Sequence, residues 1–478
     1  MKFNFIAPFR THFNLNTDLV FVDENRYKKL WDRVEKLNSL KGFNIFFNHV
    51  SDEDNTQYKY KKITEDSTDL DATVFKYFPK INQEQLKFYT DVANECVENK
   101  QFHTQLMIEL NTVRIDIYDN TVGIIDLSFN VNFDRSLNTF EEFLNTIQEW
   151  SNMFIDTLLK TEYDTNLSKI IDEITKEDGQ QFTSSHKDII ELLNTTHQSN
   201  YRKGQKKNCS LANYEYLFGK PLWTNRSLLI KEEDKQLFPI MKENWIYGDE
   251  TYEAVEKRVF SNDCIYVGWG HNLINEGCEP QKLNDVLAAI NLAQYYYTVL
   301  DFINESLTKL IGKSTNTSNM RQTQQNNLHL RRMIDSINIL LIQYNDTKLQ
   351  LQSNRKVYVQ LLSEKWSMEN LITNIKGKIE ICKEKIESIF QLNLKRNQKI
   401  TERILIALAG IALIDFSLSL SQFGRAIYVN PDLAPQDNWI PGLLNIGLSY
   451  TPNIVLWGGF LLFFSVYLLF LIHQRRGQ

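Results

Sequence analysis

The chain has 478 residues, of which 42% are hydrophobic and 23% charged, and a formal net charge of -6. That length has room for two or three domains, and the acidic balance excludes the basic face of a nucleic-acid binder, so no direct nucleic-acid binding is expected. Small anionic ligands stay open, and a mean hydropathy of -0.36 makes any membrane segment a minority of the chain.

From the N-terminus, MKFNFIAPFRTHF carries too short an apolar stretch and too early a proline to read as a signal peptide. The first clear element is a hairpin. Val113, Ile115 and Ile117 alternate with polar neighbours, Asp119 and Asn120 turn, and Ile125, Leu127, Phe129, Val131 and Phe133 alternate again, which implies one buried face. A helical stretch follows over Thr139 to Lys176, then a polar region (Glu177 to Ser185) and a short helix near His186 to Leu193. Arg202, Lys203, Lys206 and Lys207 surround Gly204, a pattern able to cradle a phosphate through side chains and backbone N–H groups, although a solvated loop is the commoner outcome. A strand is expected around Asn262 to Gly268. Beyond it, Trp269, His271 and Asn272 offer an aromatic face and an amide to a purine, against the simpler reading of a structural turn.

None of the nine prolines lies between Pro280 and Pro431, which argues for long helices. We place one over Lys282 to Ile311, a breaker at Gly312 to Asn319, a second over Met320 to Leu362, and a stalk helix over Ser363 to Phe423. Residues 330, 337, 344, 351, 358, 372, 379, 386 and 400 are apolar or Tyr at seven-residue spacing, with Met368, Ile375, Cys382 and Ile389 as the second position of a 3-4 repeat. Such a seam describes helices packed in a coiled coil or bundle, and a monomeric antiparallel bundle satisfies it as well. Gly312-Lys-Ser314 imitates the end of a P-loop, but Leu307 stands where the first glycine belongs, so it reads as a helix terminus. The eight histidines form no metal-ligand spacing and no nucleophile motif occurs, so no catalytic residue is assigned and the chain does not read as an enzyme. The five cysteines show no C-x-x-C pair, and reduced thiols are expected.

Two apolar runs, Ile404 to Phe423 and Ile454 to Ile472, close the sequence. About 20 residues at about 1.5 Å rise cover a hydrocarbon core of roughly 30 Å, so each is long enough to span a bilayer. Lys395, Arg396, Lys399 and Arg403 precede the first run and His473, Arg475 and Arg476 follow the second, whereas the connecting segment carries Arg425 against Asp432 and Asp437. By the positive-inside rule both termini face the cytoplasm of the inner (plasma) membrane. The expected fold class is an α+β cytosolic head, a long helical stalk and a C-terminal two-helix transmembrane hairpin. Its parts are the head (1–280), antiparallel helices (281–362), stalk (363–403), first membrane helix (404–423), outer loop (424–453), second membrane helix (454–472) and a cytosolic tail (473–478).

Asp415 stands near the middle of the first run, where a carboxylate costs several kcal/mol unless it faces a polar interior. Helical spacing aligns Leu408, Ile411, Asp415, Ser419 and Gln422 on one face. In an oligomer they form apolar rings, a carboxylate ring and hydroxyl and amide rings, a gate and a cation-attracting filter. The alternative is a protonated or hydrogen-bonded Asp415 that only holds the assembly together. Ser417 and Ser421 lie off this face and read as helix-packing residues, and Gly458 and Gly459 of the second run permit close approach to the first.

This layout, with Asn397-Gln-Lys-Ile-Thr-Glu-Arg-Ile-Leu-Ile-Ala-Leu-Ala-Gly-Ile at the stalk-to-membrane junction, resembles the CorA family. The resemblance implies a homopentameric cation channel, Mg²⁺ being the usual ion, with the first membrane helix lining the pore and a Gly-Met-Asn motif at its outer end. Here that place reads Ser421-Gln-Phe-Gly-Arg-Ala426, so Gly424 and Arg425 take the outer mouth, and the Arg425 charge disfavours entering cations. A chain lacking that motif and carrying a long head is most similar to the CorA-like membrane effectors associated with type III CRISPR systems. Those imply a small nucleotide ligand, a conjugate of S-adenosylmethionine and AMP. A constitutive or metal-gated divalent cation (Mg, Co or Zn) transporter and a membrane-anchored scaffold are the competing expectations.

Overall fold

The computed structural model describes residues 1–14, 32–39, 43, 45–47, 50–51, 58–59, 75–95, 107–118, 120–132, 137–175, 218–246, 248–313, 320–351, 353–430, 454, 457–465 and 467–468. An N-terminal mixed sheet is followed by a mostly helical remainder. The chain divides into two compact units, Met1–Cys382 and Lys383–Gln478, so the helices expected as a separate layer after residue 280 share their unit with the sheet.

The strands are β1 (Lys2–Asn14), β2 (Ile45–Phe47), β3 (Val50–Ser51), β4 (Tyr58–Lys59), β5 (Phe75–Tyr77), β6 (Met107–Ile117), β7 (Asn120–Asn132), β8 (Asn225–Ile230), β9 (Ile265–Val267) and β10 (His271–Asn275). Eight of them form one sheet in the order β2-β5-β6-β7-β1-β8-β10-β9, and β3 and β4 pair separately. Only β8 and β10 run parallel within the large sheet. The expected hairpin is β6–β7, and Thr121 at its turn has φ 58, a left-handed value that few threonines adopt.

Strand alternation places Phe3, Phe5, Ala7 and Phe9 of β1 beside Phe129, Leu127, Ile125 and Gly123 of β7 on one face. After helices α1 (residues 32–39) and α2 (Gln83–Glu95), helix α3 (Leu137–Glu162) supplies the cover. Its Phe140, Phe143, Leu144, Ile147, Trp150 and Phe154 recur at helical spacing and are buried. Trp150 stacks on Phe154 at 4.6 Å and meets Phe129 edge-on at 5.4 Å. A π turn at Tyr163–Leu167 then leads into α4 (Ser168–Thr175), which accounts for the helical stretch expected over Thr139 to Lys176. The regions expected at Glu177 to Ser185 and His186 to Leu193 lie outside the described residues.

The second face of the hairpin is also buried, against the single buried face that its alternation implies. After α5 (Phe238–Asn244) and α6 (Tyr252–Val259), helix α7 (Pro280–Lys313) packs against it: Tyr118 stacks on Tyr295 at 4.3 Å and Asn120 donates to the Tyr295 hydroxyl at 2.8 Å. Among the described residues two helices are long and apolar enough to cross a membrane, one within Pro280–Lys309 and one within Met368–Leu420. In the first, 67% of the apolar window is buried, which marks a core helix, whereas in the second the share is 6%.

The helix expected over Met320 to Leu362 is two, α8 (Met320–Gln350) and α9 (Ser353–Lys365). The expected stalk starts at Met368, after Ser367 with φ 53, and continues as α10 (Met368–Val429). Leu330, Ile337, Tyr344, Leu351, Tyr358, Ile372, Ile379 and Ile386 of the seam are buried, whereas Ile400 is 47% exposed.

The expectation of reduced thiols is corrected at one pair. Cys264 and Cys278 form a disulfide across the base of the β9–β10 hairpin, where the chain returns to within 6.3 Å between Cα atoms. Cys382 is free and buried.

Gly123 is the tightest point of the first face, because a Cβ there would lie 2.6 and 2.7 Å from Cε1 and Cε2 of Phe9. Gly123→Ala should therefore destabilise the protein by about 1–3 kcal/mol and lower its melting temperature. Adding Phe9→Leu should recover part of the loss in thermal unfolding.

Candidate functional site

In the second unit, α10 carries the uncovered apolar run, and its sides differ. Residues 457–465 are helical and meet α10 closely: a Cβ on Gly459 would come within 2.6 Å of Ser417 Oγ, and one on Gly410 would enter the Phe463 ring. Partner numbers fall from 463 to 459 as α10 numbers rise from 410 to 417, so the two helices run in opposite directions. Ile406, Gly410, Ile414, Ser417 and Leu420 are the less exposed positions of this stretch and share one helical face. Leu408, Ile411, Asp415, Ser419 and Gln422 lie on the side turned away from that partner, and all five are exposed. Gly424 and Arg425 stand in the last turns of α10, with Arg425 exposed. The remainder of the second apolar run lies outside the described residues.

In the first unit, Trp269, His271 and Asn272 do not converge on one open surface. Gly268 accepts a turn geometry in which its N–H donates to the His271 carbonyl at 3.0 Å, and Trp269 at the tip is 62% exposed. His271 lies edge-on to Trp245 at 4.9 Å. Burial, reinforced by the Arg226 guanidinium, pushes its pKa down to about 3 and leaves the ring neutral at ordinary pH. Asn272 is fully buried and donates Nδ2 to Asn225 Oδ1 at 2.7 Å and Ser227 Oγ at 3.1 Å. This stretch supplies one exposed ring and no cation. Arg202, Lys203, Lys206 and Lys207 lie outside the described residues.

The turn touches the joint between α9 and α10. Tyr297 of α7 meets Trp223, Trp269 and Trp366 edge-on at 5.7, 5.8 and 6.0 Å, and the Trp366 indole N–H reaches the Gly268 carbonyl at 3.4 Å. Lys365 pairs with Glu250 at 3.6 Å before the joint, and Lys348 pairs with Glu369 at 2.6 Å after it.

Under α7, the polar side of the sheet forms a buried charged layer. Register sets Arg114 opposite Asp126, with Asp116 two residues on. Arg114 Nη2 donates to Asp126 Oδ2 at 3.0 Å and its Nε lies 2.9 Å from Asp116 Oδ1. Asp126 also accepts from Asn4 at 2.7 Å and from Asn291 of α7 at 3.3 Å. Arg355, in the first turn of α9, pairs with Asp285 at 2.6 Å, and both side chains are under a tenth exposed. Such groups stay ionised indoors only when paired and hydrogen-bonded.

Arg114, Asp116, Asp126, Asn291 and Arg355 border a cavity of about 230 Å³ that Lys76, Tyr118 and Asn284 also line. Asn291 is 6% exposed, and its Oδ1 accepts no hydrogen bond among the described residues. A buried acceptor left so costs about 1–3 kcal/mol unless water or a ligand reaches it. The signal for this layer is present in the sequence as Arg114-Ile-Asp116 and Asp126 at alternate hairpin positions, with Asn284 and Asn291 on one side of an apolar helix. Among the described residues no group of three or more His, Cys, Asp or Glu side chains is placed to share a metal ion.

Comparison with known proteins assigns no relative: no protein-family model, no curated protein and no solved structure matches the chain.

His271 carries a pH dependence whose sign is fixed. Its folded-state pKa lies below the ordinary 6.5, so the unfolded chain takes up a proton that the native state refuses. The stability contributed is complete above about pH 6.5 and is lost as pH falls, by about 1.4 kcal/mol per unit. Melting temperatures should drop from pH 7 to pH 5, and His271→Gln should flatten that slope; parallel slopes in the two proteins would assign it to other groups.

Proposed function

We propose that the chain is a CorA-like homopentameric membrane channel, a ligand-gated antiviral effector of the kind associated with type III CRISPR. Its head senses a nucleotide messenger, a conjugate of S-adenosylmethionine and AMP, and α10 lines the pore. It acts on ion flux or membrane integrity from the inner membrane with both termini in the cytoplasm, and it is not an enzyme.

What carries this reading is the sidedness of α10: one face packs a second helix through Gly410 and Ser417, while Asp415, Ser419 and Gln422 lie exposed on the other. Brought round a common axis, that other face becomes the filter and Leu408 and Ile411 the apolar gate below it. Gating needs a ligand that binds the open form better than the closed one, since only differential affinity shifts the equilibrium.

Orientation rests on the flanking cations, and the Cys264–Cys278 disulfide weighs against it. Disulfides persist in oxidising compartments, whereas a head in the cytosol holds such a pair as neighbouring thiols.

Proteoliposomes of the purified protein should show ion flux only with the nucleotide conjugate, at fixed Mg²⁺. Flux that ignores the nucleotide but follows Mg²⁺ would return the chain to the transporter class, and no flux in either condition would favour a scaffold. Asp415→Asn should lower cation-over-anion preference several-fold without preventing assembly, read from reversal potentials; unchanged selectivity removes Asp415 from the filter. Alkylation of intact cells with a membrane-permeant maleimide, followed by unfolding and mass analysis, tests the orientation: Cys264 and Cys278 protected as the disulfide seen here would place the head in an oxidising compartment, and modification of both as thiols would place it in the cytoplasm.

A further inference from the structure

The cavity under α7 is used by nothing in the channel reading, and its walls define the chemistry of an occupant. Three cations, Lys76, Arg114 and Arg355, and two carboxylates, Asp116 and Asp126, line it, and Asp285 pairs with Arg355 from outside the lining, so the charged layer is balanced overall while presenting both signs. A polyanion such as a nucleotide phosphate calls for a larger excess of cations than the single one on this wall. A ligand that is itself neutral overall and carries both signs matches it.

The second observation is Asn291. Its Nδ2 is spent on Asp126 at 3.3 Å, and its Oδ1, on a side chain 6% exposed at the cavity wall, has no partner among the described residues. That oxygen can only accept, so it calls for an N–H or O–H donor on the occupant. Leu287, Ala288 and Leu292 add a short apolar strip on the same wall. At about 230 Å³ the space is smaller than the roughly 300–1,000 Å³ typical of drug-sized ligands, so the occupant is small.

We propose that this cavity is a binding site for a small zwitterion of the α-amino-acid class, its ammonium donating to Asn291 Oδ1 and its carboxylate held by Lys76 and Arg355. The site is independent of the nucleotide messenger. Because Arg355 opens α9 and Trp366 closes that helix at the joint with α10, occupancy acts on the element from which α10 departs. That coupling, unlike the binding, rests on the channel reading.

Isothermal titration of the purified full-length protein in detergent, with each of the common L-amino acids, inorganic phosphate and AMP as separate probes, tests the site without reference to flux. Saturable binding of at least one amino acid is expected, weakened at least tenfold by Asn291→Leu and by Lys76→Met. Lys76 is only partly buried, so Lys76→Met should leave the ligand-free melting curve unchanged and show that lost affinity is not lost fold. Absence of binding by every amino acid would mean that the cavity holds water only and would overturn the proposal. Tight binding of phosphate or AMP that both substitutions leave intact would overturn it as well. A protein that binds an amino acid yet conducts nothing would leave this site standing and remove the channel instead.

Discussion

An apolar helix that its own chain leaves uncovered cannot rest in water, and the organisation of the second unit follows from that constraint. Leu405, Leu408, Ile411, Phe416 and Phe423 are each about half exposed or more. Patches of that extent on a soluble protein mark a membrane or a partner. The two sides of α10 differ in what they offer a neighbour. Gly410 and Ser417 let another helix approach closely on one side, as small residues do where no hydrophobic effect drives association. The side with Asp415, Ser419 and Gln422 is the one that lipid would penalise.

The start of the same helix is tied to the sheet-bearing unit by unlike means. Met368 and Ile375 are fully buried, and Lys378 donates to the Asn304 carbonyl at 3.1 Å, to Asn304 Oδ1 at 2.5 Å and to Thr308 Oγ1 at 2.6 Å. One residue earlier, Ser367 takes φ 53 and ends the run from α9. A break flanked by Trp366, Lys348 and Lys365 contacts therefore separates α9 from α10.

Local periodicity made α10, the β6–β7 hairpin and the buried seam legible, because a run of apolar residues at fixed spacing needs no knowledge of what lies opposite. The hairpin's second face was misleading for the same reason. Arg114, Asp116 and Asp126 alternate with Val and Ile as a solvated face does, and only the position of α7 turns that face inward. The disulfide was invisible because its cysteines are 14 residues apart, a spacing that has meaning only once β9 and β10 fold back on each other. Length and hydropathy alone also fail to separate α7 from α10, since both are apolar enough to span a bilayer and burial tells them apart. The candidate residues on α10 follow from helical geometry, whereas Asn272 was drawn to a purine by its neighbours in sequence and is instead bonded to Asn225 and Ser227 across the sheet.

The buried charged layer is the place where the first unit departs from the cheapest way to be stable. Apolar residues of similar volume commonly stabilise a core as well as or better than paired charges, so ion pairs retained indoors contribute something other than stability. Here they fix register, since Arg114 bridges a residue across the hairpin and another along its own strand, while Asn291 ties α7 to the same carboxylate. That network leaves the Asn291 amide oxygen at a cavity wall without a partner among the described residues. The second unit shows the converse, apolar side chains with nothing over them. Sequences agree with their folds at every level except where function intervenes, and among the described residues an unfilled polar acceptor inside and an uncovered apolar face outside are two places where this chain departs from that agreement.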